Sequence, residues 1–316
     1  MDVLQIITSA SDLVTSREQT RAGFITFALE KNKKASPLVA EAKSLHAMAK
    51  VAKTPAELLN IAEIRKALLT ASGLSDKSLQ HLTEADKTEA INRLIKEFLE
   101  PEGEYFVDAL VYRYLLIKGD SLGGSMRNLV GALAQQKLIR TFISNLTLMG
   151  IDFLWTDIKS KEWYKGNPTA PIEGDIKAMY WNYHGNDRIL AFNLTIPLVG
   201  KNVDITLFDA KPIDYNKGKI VRFNDRFVMA GELKGGIDPA GADEHWKTGN
   251  TALNRIRNAF DTVEIPIKTA FIAAAIEDSM SKEIFNQLKS ETLSYAANLT
   301  VDDQLVHFCD WAIKLQ

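Results

Sequence analysis

The feature that most constrains this chain is a change of hydrophobic period near its middle. From about residue 16 to 140 the apolar residues recur at helical spacing, with start and stop signals and little β-branched alternation. Beyond about residue 186 they alternate as strands do. A chain written this way cannot be one uniform bundle or one all-β barrel. It predicts a mainly helical domain over 1–150 and an α/β domain over 151–316, the latter a mixed sheet covered by helices. At 316 residues the chain is long enough for each part to bury its own core.

In the first half, Ser36-Pro37 and Thr54-Pro55 both read as an N-cap followed by proline at the first helical position. Glu57 completes a capping box with Thr54, and Gly73 stops the helix whose apolar face includes Leu58, Leu59, Ile61 and Leu68. Further helices are expected over about 86–100, ending at Pro101, and 104–118, ending at Gly119. Gly123-Gly124-Ser125 then opens another, containing Arg127, and can be read as a phosphate-holding helix start or as a capped glycine turn.

Residues 151–186 read as an irregular connection in which Trp155, Lys159, Lys161, Trp163, Tyr164, Lys165 and Trp181 interleave. That mixture suits a nucleic-acid grip or a linker anchored by core tryptophans. Strands follow over 188–196, 203–208 and 226–234, then a helix over 249–260, a strand buried on both faces over 267–276, and two helices, the last with Thr300 and Asp303 in capping-box register.

Composition narrows the class. Hydrophobic residues at 46% and charged residues at 25% are those of a folded soluble protein. The start lacks the basic and apolar regions of a secretory signal, and Ala270–Ile276 is too short to span a bilayer, so a cytoplasmic location is expected. The only cysteine, Cys309, lies in an apolar helical stretch and reads as core. A net charge of −2 argues against a non-specific nucleic-acid coat, but leaves room for an enzyme that sets acidic metal ligands against a basic groove.

Hydrolysis of a phosphodiester needs a cation on the phosphate, an activated water and a group that holds both in line. Two carboxylates and a lysine can supply the ligands and the orienting charge, and Asp/Glu-x-Lys on a strand points both charged side chains the same way. The tripeptide alone is weak, since Glu41, Asp157, Asp175 and Asp209 each have a lysine two positions on. Glu232-Leu233-Lys234 is distinguished because it closes a strand after Phe227-Val228-Met229-Ala230 and precedes Gly235-Gly236. For its partner, Asp204 competes with Asp209. A turn near Asn216-Lys217-Gly218 sets Asp204 opposite Glu232 and Asp209 opposite Phe227, whereas Asn224-Asp225 offers a rival turn.

The stretch from Gly235 to Lys247 reads as a loop rich in glycine and charge, in which His245 is either a general base or a loop hydrogen-bonding residue. His46, His81, His184 and His307 show no metal-ligand spacing. Asp238 and Glu244 can accept from the exocyclic amine of cytosine, or serve as loop caps. These residues alone reach a metal-dependent phosphodiesterase, and leave open a repair or junction-resolving nuclease and a non-catalytic DNA-binding protein.

In identity and spacing, Asp204, Glu232-Leu233-Lys234 and His245, thirteen residues after the glutamate, resemble the AvaI/BsoBI family of type II restriction endonucleases. The resemblance extends to the chain's length and its helical-first order. It implies a PD-(D/E)xK sheet core, and Mg²⁺ held by Asp204, Glu232 and the backbone carbonyl of Leu233. Lys234 would position the water, with His245 within reach as the base. It further implies cleavage of double-stranded DNA at C-Y-C-G-R-G after the first cytosine by a homodimer that surrounds the duplex. The helical domain would then serve DNA embrace and dimer contacts, and a cognate methyltransferase would protect the host's sites. Lys77 and Arg127 are the candidates for DNA contacts in the helical half.

Overall fold

The computed structural model describes residues 3–157, 162–216 and 220–316, and of Arg127 and Asn216 the backbone only. Two helices, α1 (Arg17–Ala49) and α4 (Phe106–Leu148), each run through a boundary between two compact units. One unit is Met1–Phe24 with Leu129–Gln316, and the other is Ile25–Asn128. The sequence places the division at 150, where α4 does end near Gly150 with its left-handed φ of 68°. Packing follows the apolar face instead. Ala134, Leu138, Ile139, Phe142, Ile143 and Leu146 on the last turns of α4 are buried in the same core as the sheet.

The helical unit also contains α2 (Arg65–Ala71) and α3 (Glu84–Arg93), around a core that includes Leu45, Leu58, Ile64, Leu68, Ile91, Leu94, Leu99, Phe106 and Leu110. Thr54 takes the N-cap position in extended backbone but makes no side-chain cap bond, and Glu57 accepts from the N–H of Lys53 at 2.8 Å, so the expected capping box does not form. The helix Thr54 opens is a short 3-10 turn, Pro55–Asn60. Ser36-Pro37 opens nothing. Pro37 lies inside α1, and Ser36 Oγ turns back to the carbonyl of Asn32 at 3.0 Å. Gly119, Gly123 and Gly124 lie inside α4, because a glycine costs a helix interior only about 1 kcal/mol. No helix starts there, so the phosphate-holding reading falls; Ser125 Oγ bonds the carbonyl of Leu122.

The sheet unit carries β1 (Phe153–Asp157), β2 (Tyr164–Lys165), β3 (Ile176–Tyr183), β4 (Asn186–Ile196), β5 (Lys201–Asp209), β6 (Phe227–Lys234), β7 (Lys268–Ala273) and β8 (Tyr295–Asn298). They form one mixed sheet in the order β2-β1-β3-β4-β5-β6-β7-β8, antiparallel as far as β6 and parallel from β6 to β8. The expected irregular segment thus holds three strands. Its tryptophans pack: Trp181 is buried beside Phe142, and Trp163 stands edge-on to Tyr180 and Tyr215. Lys159 and Lys161 lie outside the described residues.

A short helix, α5 (Pro212–Asn216), follows β5. The parallel edge is built from right-spaced crossovers through α6 (Pro239–Asp261) and α7 (Asp278–Lys289), and α8 (Asp302–Lys314) closes the chain. These helices bury one face each, with Trp246, Leu253, Ile256 and Phe260 on α6 and Met280, Ile284 and Leu288 on α7. Thr300 does not cap α8. Its N–H and hydroxyl both donate to Asn298 Oδ1, and Val301 takes the cap position. Cys309 is buried in α8 as expected. Among the described residues no helix is long and apolar enough to cross a membrane.

Candidate active site

The chemistry-bearing residues meet where β5 and β6 part. Ile205 pairs with Gly231, Thr206 with Ala230 and Leu207 with Met229, and continuing that register by one residue sets Asp204 across from Glu232. This is the alignment the sequence suggests. The connection contains α5 and 3-10 turns at Ile220–Arg222 and Asn224–Arg226, while Lys217 and Gly218 lie outside the described residues. Packing on both faces holds the register: Ile205, Leu207 and Phe208 of β5 and Met229 and Ala230 of β6 are fully buried, and a slipped strand would lose their fitted contacts. A bulge after Leu207 puts Phe208, not Asp209, opposite Phe227. Asp209 is engaged at the far end, accepting from Arg188 Nη1 at 3.1 Å.

Lys234 Nζ donates to Glu232 Oε2 at 2.6 Å and to Asp204 Oδ2 at 3.3 Å. The N–H of Leu233 donates to the same Asp204 oxygen at 3.0 Å. Since N–H and C=O of one strand residue lie on the same edge, the Leu233 carbonyl also faces the Asp204 side. The Lys234 carbonyl faces the other way, accepting from Ala274 N–H at 2.8 Å. Glu232 is 4% exposed. Burial, reinforced by the neighbouring Asp204 carboxylate, pushes its carboxyl up to about 7 against the pull of Lys234. Burial works against the charged Lys234 too, but Glu232 and Asp204 outweigh it and hold the ammonium above its ordinary value.

The stretch expected as a loop to Lys247 is helical from Pro239. Asp238 is its N-cap, accepting from the N–H of Ala240 at 3.0 Å, with proline at the first helical position. That pair was the available signal, masked by the glycines around it. Glu244 is exposed on the second turn, and His245 beside it is half-buried. The imidazole lies against Gly236, where a Cβ would stand 2.3 Å from its Cε1. His245 Nδ1 is buried without a hydrogen-bond partner among the described residues. Burial, then the Lys234 ammonium, holds the imidazole below its ordinary pKa, with Glu244 and Asp238 opposing.

The structure therefore gathers Asp204, Glu232, Leu233 and Lys234, with His245 within the electrostatic reach of Lys234. Lys77 is exposed in the helical unit ahead of a 3-10 turn, and the Arg127 side chain lies outside the described residues. Sequence reasoning passed over Asn193 on β4, whose left-handed φ of 53° leaves no trace in a strand-like alternation.

Comparison with known proteins gives the family. The family model for restriction endonuclease BsobI matches residues 4–315. The chain belongs to the BsoBI restriction endonuclease family. The type II restriction enzyme BsoBI of Geobacillus stearothermophilus is 51% identical over 311 residues, covering 97% of this chain and 96% of that protein. The type II restriction enzymes AvaI of a Nostoc species and of Anabaena variabilis are each 48% identical over 310 residues, covering 98% of both chains. The chain is a relative of both enzymes and a copy of neither. Type II restriction enzymes act on double-stranded DNA and generally need a divalent metal ion.

The residues of this BsoBI-family member suit such an ion. Among the described residues no three His, Cys, Asp or Glu side chains converge as a cage. The donors available are two carboxylates and a strand-edge carbonyl, a hard-oxygen set that leaves room for water ligands, as Mg²⁺ prefers. Burial first and the Asp204 carboxylate second hold the Glu232 carboxyl up, and a cation bound there would favour its charged form.

Proposed function

We propose that this enzyme cleaves double-stranded DNA at C-Y-C-G-R-G after the first cytosine, as a homodimer, with Mg²⁺ bound by Asp204, Glu232 and the Leu233 carbonyl. The observation that carries the reading is the Lys234 ammonium seated between two carboxylates at the end of a sheet. Bound there, Mg²⁺ would supply Lewis-acid stabilisation of the phosphate and a more acidic water.

The chain's own residues do the rest. Lys234 stays charged at every physiological pH and can orient the attacking water and offset charge developing on the phosphate. His245 stays neutral near pH 7 because burial and Lys234 both disfavour its cation, so it can accept the water's proton. Gly236 gives the imidazole the room to lie there.

A two-fold symmetric target calls for two copies of one site, hence a C₂ dimer. In this reading the helical domain embraces DNA and makes dimer contacts, and residues 151–316 are catalytic. Glu244, exposed on the second turn of α6, and Asp238 at its cap can accept from cytosine N4, while Lys77 and Arg127 meet phosphates. The degenerate pair is tolerated through the purine N7 or through water. The enzyme would work in the cytoplasm beside a methyltransferase that protects the same sites.

Digestion of a plasmid of known sequence in Mg²⁺, with the ends mapped, tests this. Discrete fragments ending after the first cytosine of every C-Y-C-G-R-G are expected; a smear, or ends at other sequences, would defeat it.

A further inference from the structure

Asp204 is held in the sheet in an unusual way. The β4–β5 ladder pairs Phe192 with Ile205 and Leu194 with Val203 and skips the pair between them, Asn193 and Asp204. On its other side the β5–β6 ladder begins only at Ile205. Asp204 is thus in register with both neighbouring strands and laddered to neither, so its flanks place its backbone while its carboxylate accepts from Leu233 and Lys234.

The skipped pair has a visible cause. Asn193 adopts a left-handed φ of 53°, a conformation disfavoured for every side chain though least so for asparagine. In a regular strand, successive carbonyls point to opposite edges. Here the carbonyls of Phe192 and Asn193 both accept from one ammonium, Lys177 Nζ on β3, that of Asn193 at 3.1 Å. Asn193 Nδ2 in turn donates to Gln135 Oε1 on α4 at 2.8 Å. Lys177 is half-buried, its groups of contact are neutral carbonyls, and burial lowers its pKa. Keeping an ammonium there has an unfavourable desolvation term that salt-free strand pairing would not require.

We propose that Lys177 is a positioning residue for Asp204: by clamping the carbonyls of Phe192 and Asn193 it maintains the left-handed turn that sets where Asp204 stands beside Glu232. This rests on Asp204 serving as a metal ligand. The clamp acts through β4 and touches no substrate.

The test compares the full-length enzyme with Lys177→Met, Lys177→Arg and Asp204→Ala. Three readouts are taken: Mn²⁺ bound to the DNA-free protein by electron paramagnetic resonance, affinity for target duplex without divalent ion, and single-turnover cleavage in Mg²⁺. Lys177→Met is expected to keep DNA affinity, to bind Mn²⁺ more weakly, and to cleave slower by on the order of tenfold or more. Lys177→Arg, which can still donate to carbonyls, should recover part of both losses. Should Lys177→Met fail to fold, Asn193→Ala against Asn193→Gly makes the same comparison. Both lose the bond to Gln135, but only glycine holds a positive φ freely, so only alanine should weaken Mn²⁺ binding. Wild-type Mn²⁺ binding and cleavage in Lys177→Met, or in Asn193→Ala, overturns the proposal. If Asp204→Ala also retains both, the metal-site reading itself has failed; if it loses both, only the positioning role has.

Discussion

The backbone N–H of Leu233 donates to Asp204 Oδ2 at 3.0 Å, so the aspartate caps the end of the neighbouring strand while its carboxylate also receives Lys234. One side chain thereby fixes the separation of β5 and β6 where they diverge. Asp204→Asn should keep an acceptor for Leu233 and so keep the fold, yet halt cleavage, because a neutral amide neither attracts a cation nor balances Lys234. Unfolding midpoints within a few degrees of the parent, with no cleavage in Mg²⁺, are expected; retained cleavage would remove Asp204 from the site.

Glu232 makes metal-free stability depend on pH. Its folded carboxyl titrates near 7 against an ordinary value of 4.5. The folded state therefore holds a proton that the unfolded chain has released. That contribution is fully present below 4.5 and lost as pH rises through about 7, amounting to on the order of 3 kcal/mol at most. Urea unfolding in chelator should show the parent losing stability across this window relative to Glu232→Gln, and Mg²⁺ should reduce the loss by favouring the ionised carboxyl. Parallel profiles for the two proteins would contradict the linkage.

Gly236 and His245 form a second test. A Cβ at Gly236 would fall 2.3 Å from the imidazole, so Gly236→Ala must displace the ring. If His245 is the base, Gly236→Ala and His245→Ala should both slow cleavage, the latter by about two to four orders of magnitude, with DNA affinity preserved. The acid limb of the parent's rate profile should lie below the ordinary histidine pKa. An undiminished His245→Ala rate would return His245 to a packing role.

Asp238 combines a structural duty with a proposed reading one, and two substitutions separate them. Asp238→Ala should destabilise by about 1 kcal/mol through loss of the α6 cap, whereas Asp238→Asn keeps the cap. Calorimetry gives the stability and cleavage of variant sites gives the specificity. Relaxed specificity in Asp238→Asn at parental stability supports base readout; unchanged specificity leaves only the cap.

The strands of the sheet were legible as apolar, β-branched runs, although β4, β5 and β6 are buried on both faces over most of their length, and the register of β5 on β6 follows from a turn placed near Gly218. β8 was missed because Tyr295–Asn298 is buried throughout and so carries no alternation. The long helices were cut too often. Pro37 and Gly119–Gly124 weaken a helix locally without ending it, and the helices run on to bury Ala42, Leu45 and Ala49 on α1 and Ala134, Leu138 and Phe142 on α4. In the site, Glu232 and Lys234 could be chosen from strand context, whereas the helical start at Asp238-Pro239 was obscured by Gly235-Gly236. The Lys177 clamp depends on one residue's φ, which no periodicity records.

The most direct measurement follows cutting and binding of one C-Y-C-G-R-G duplex by the parent, Glu232→Ala and Lys234→Met, in Mg²⁺ and in chelator. The account predicts that all three bind, and that only the parent cuts, and only with the ion. Cutting by either variant, or by the parent in chelator, would contradict it.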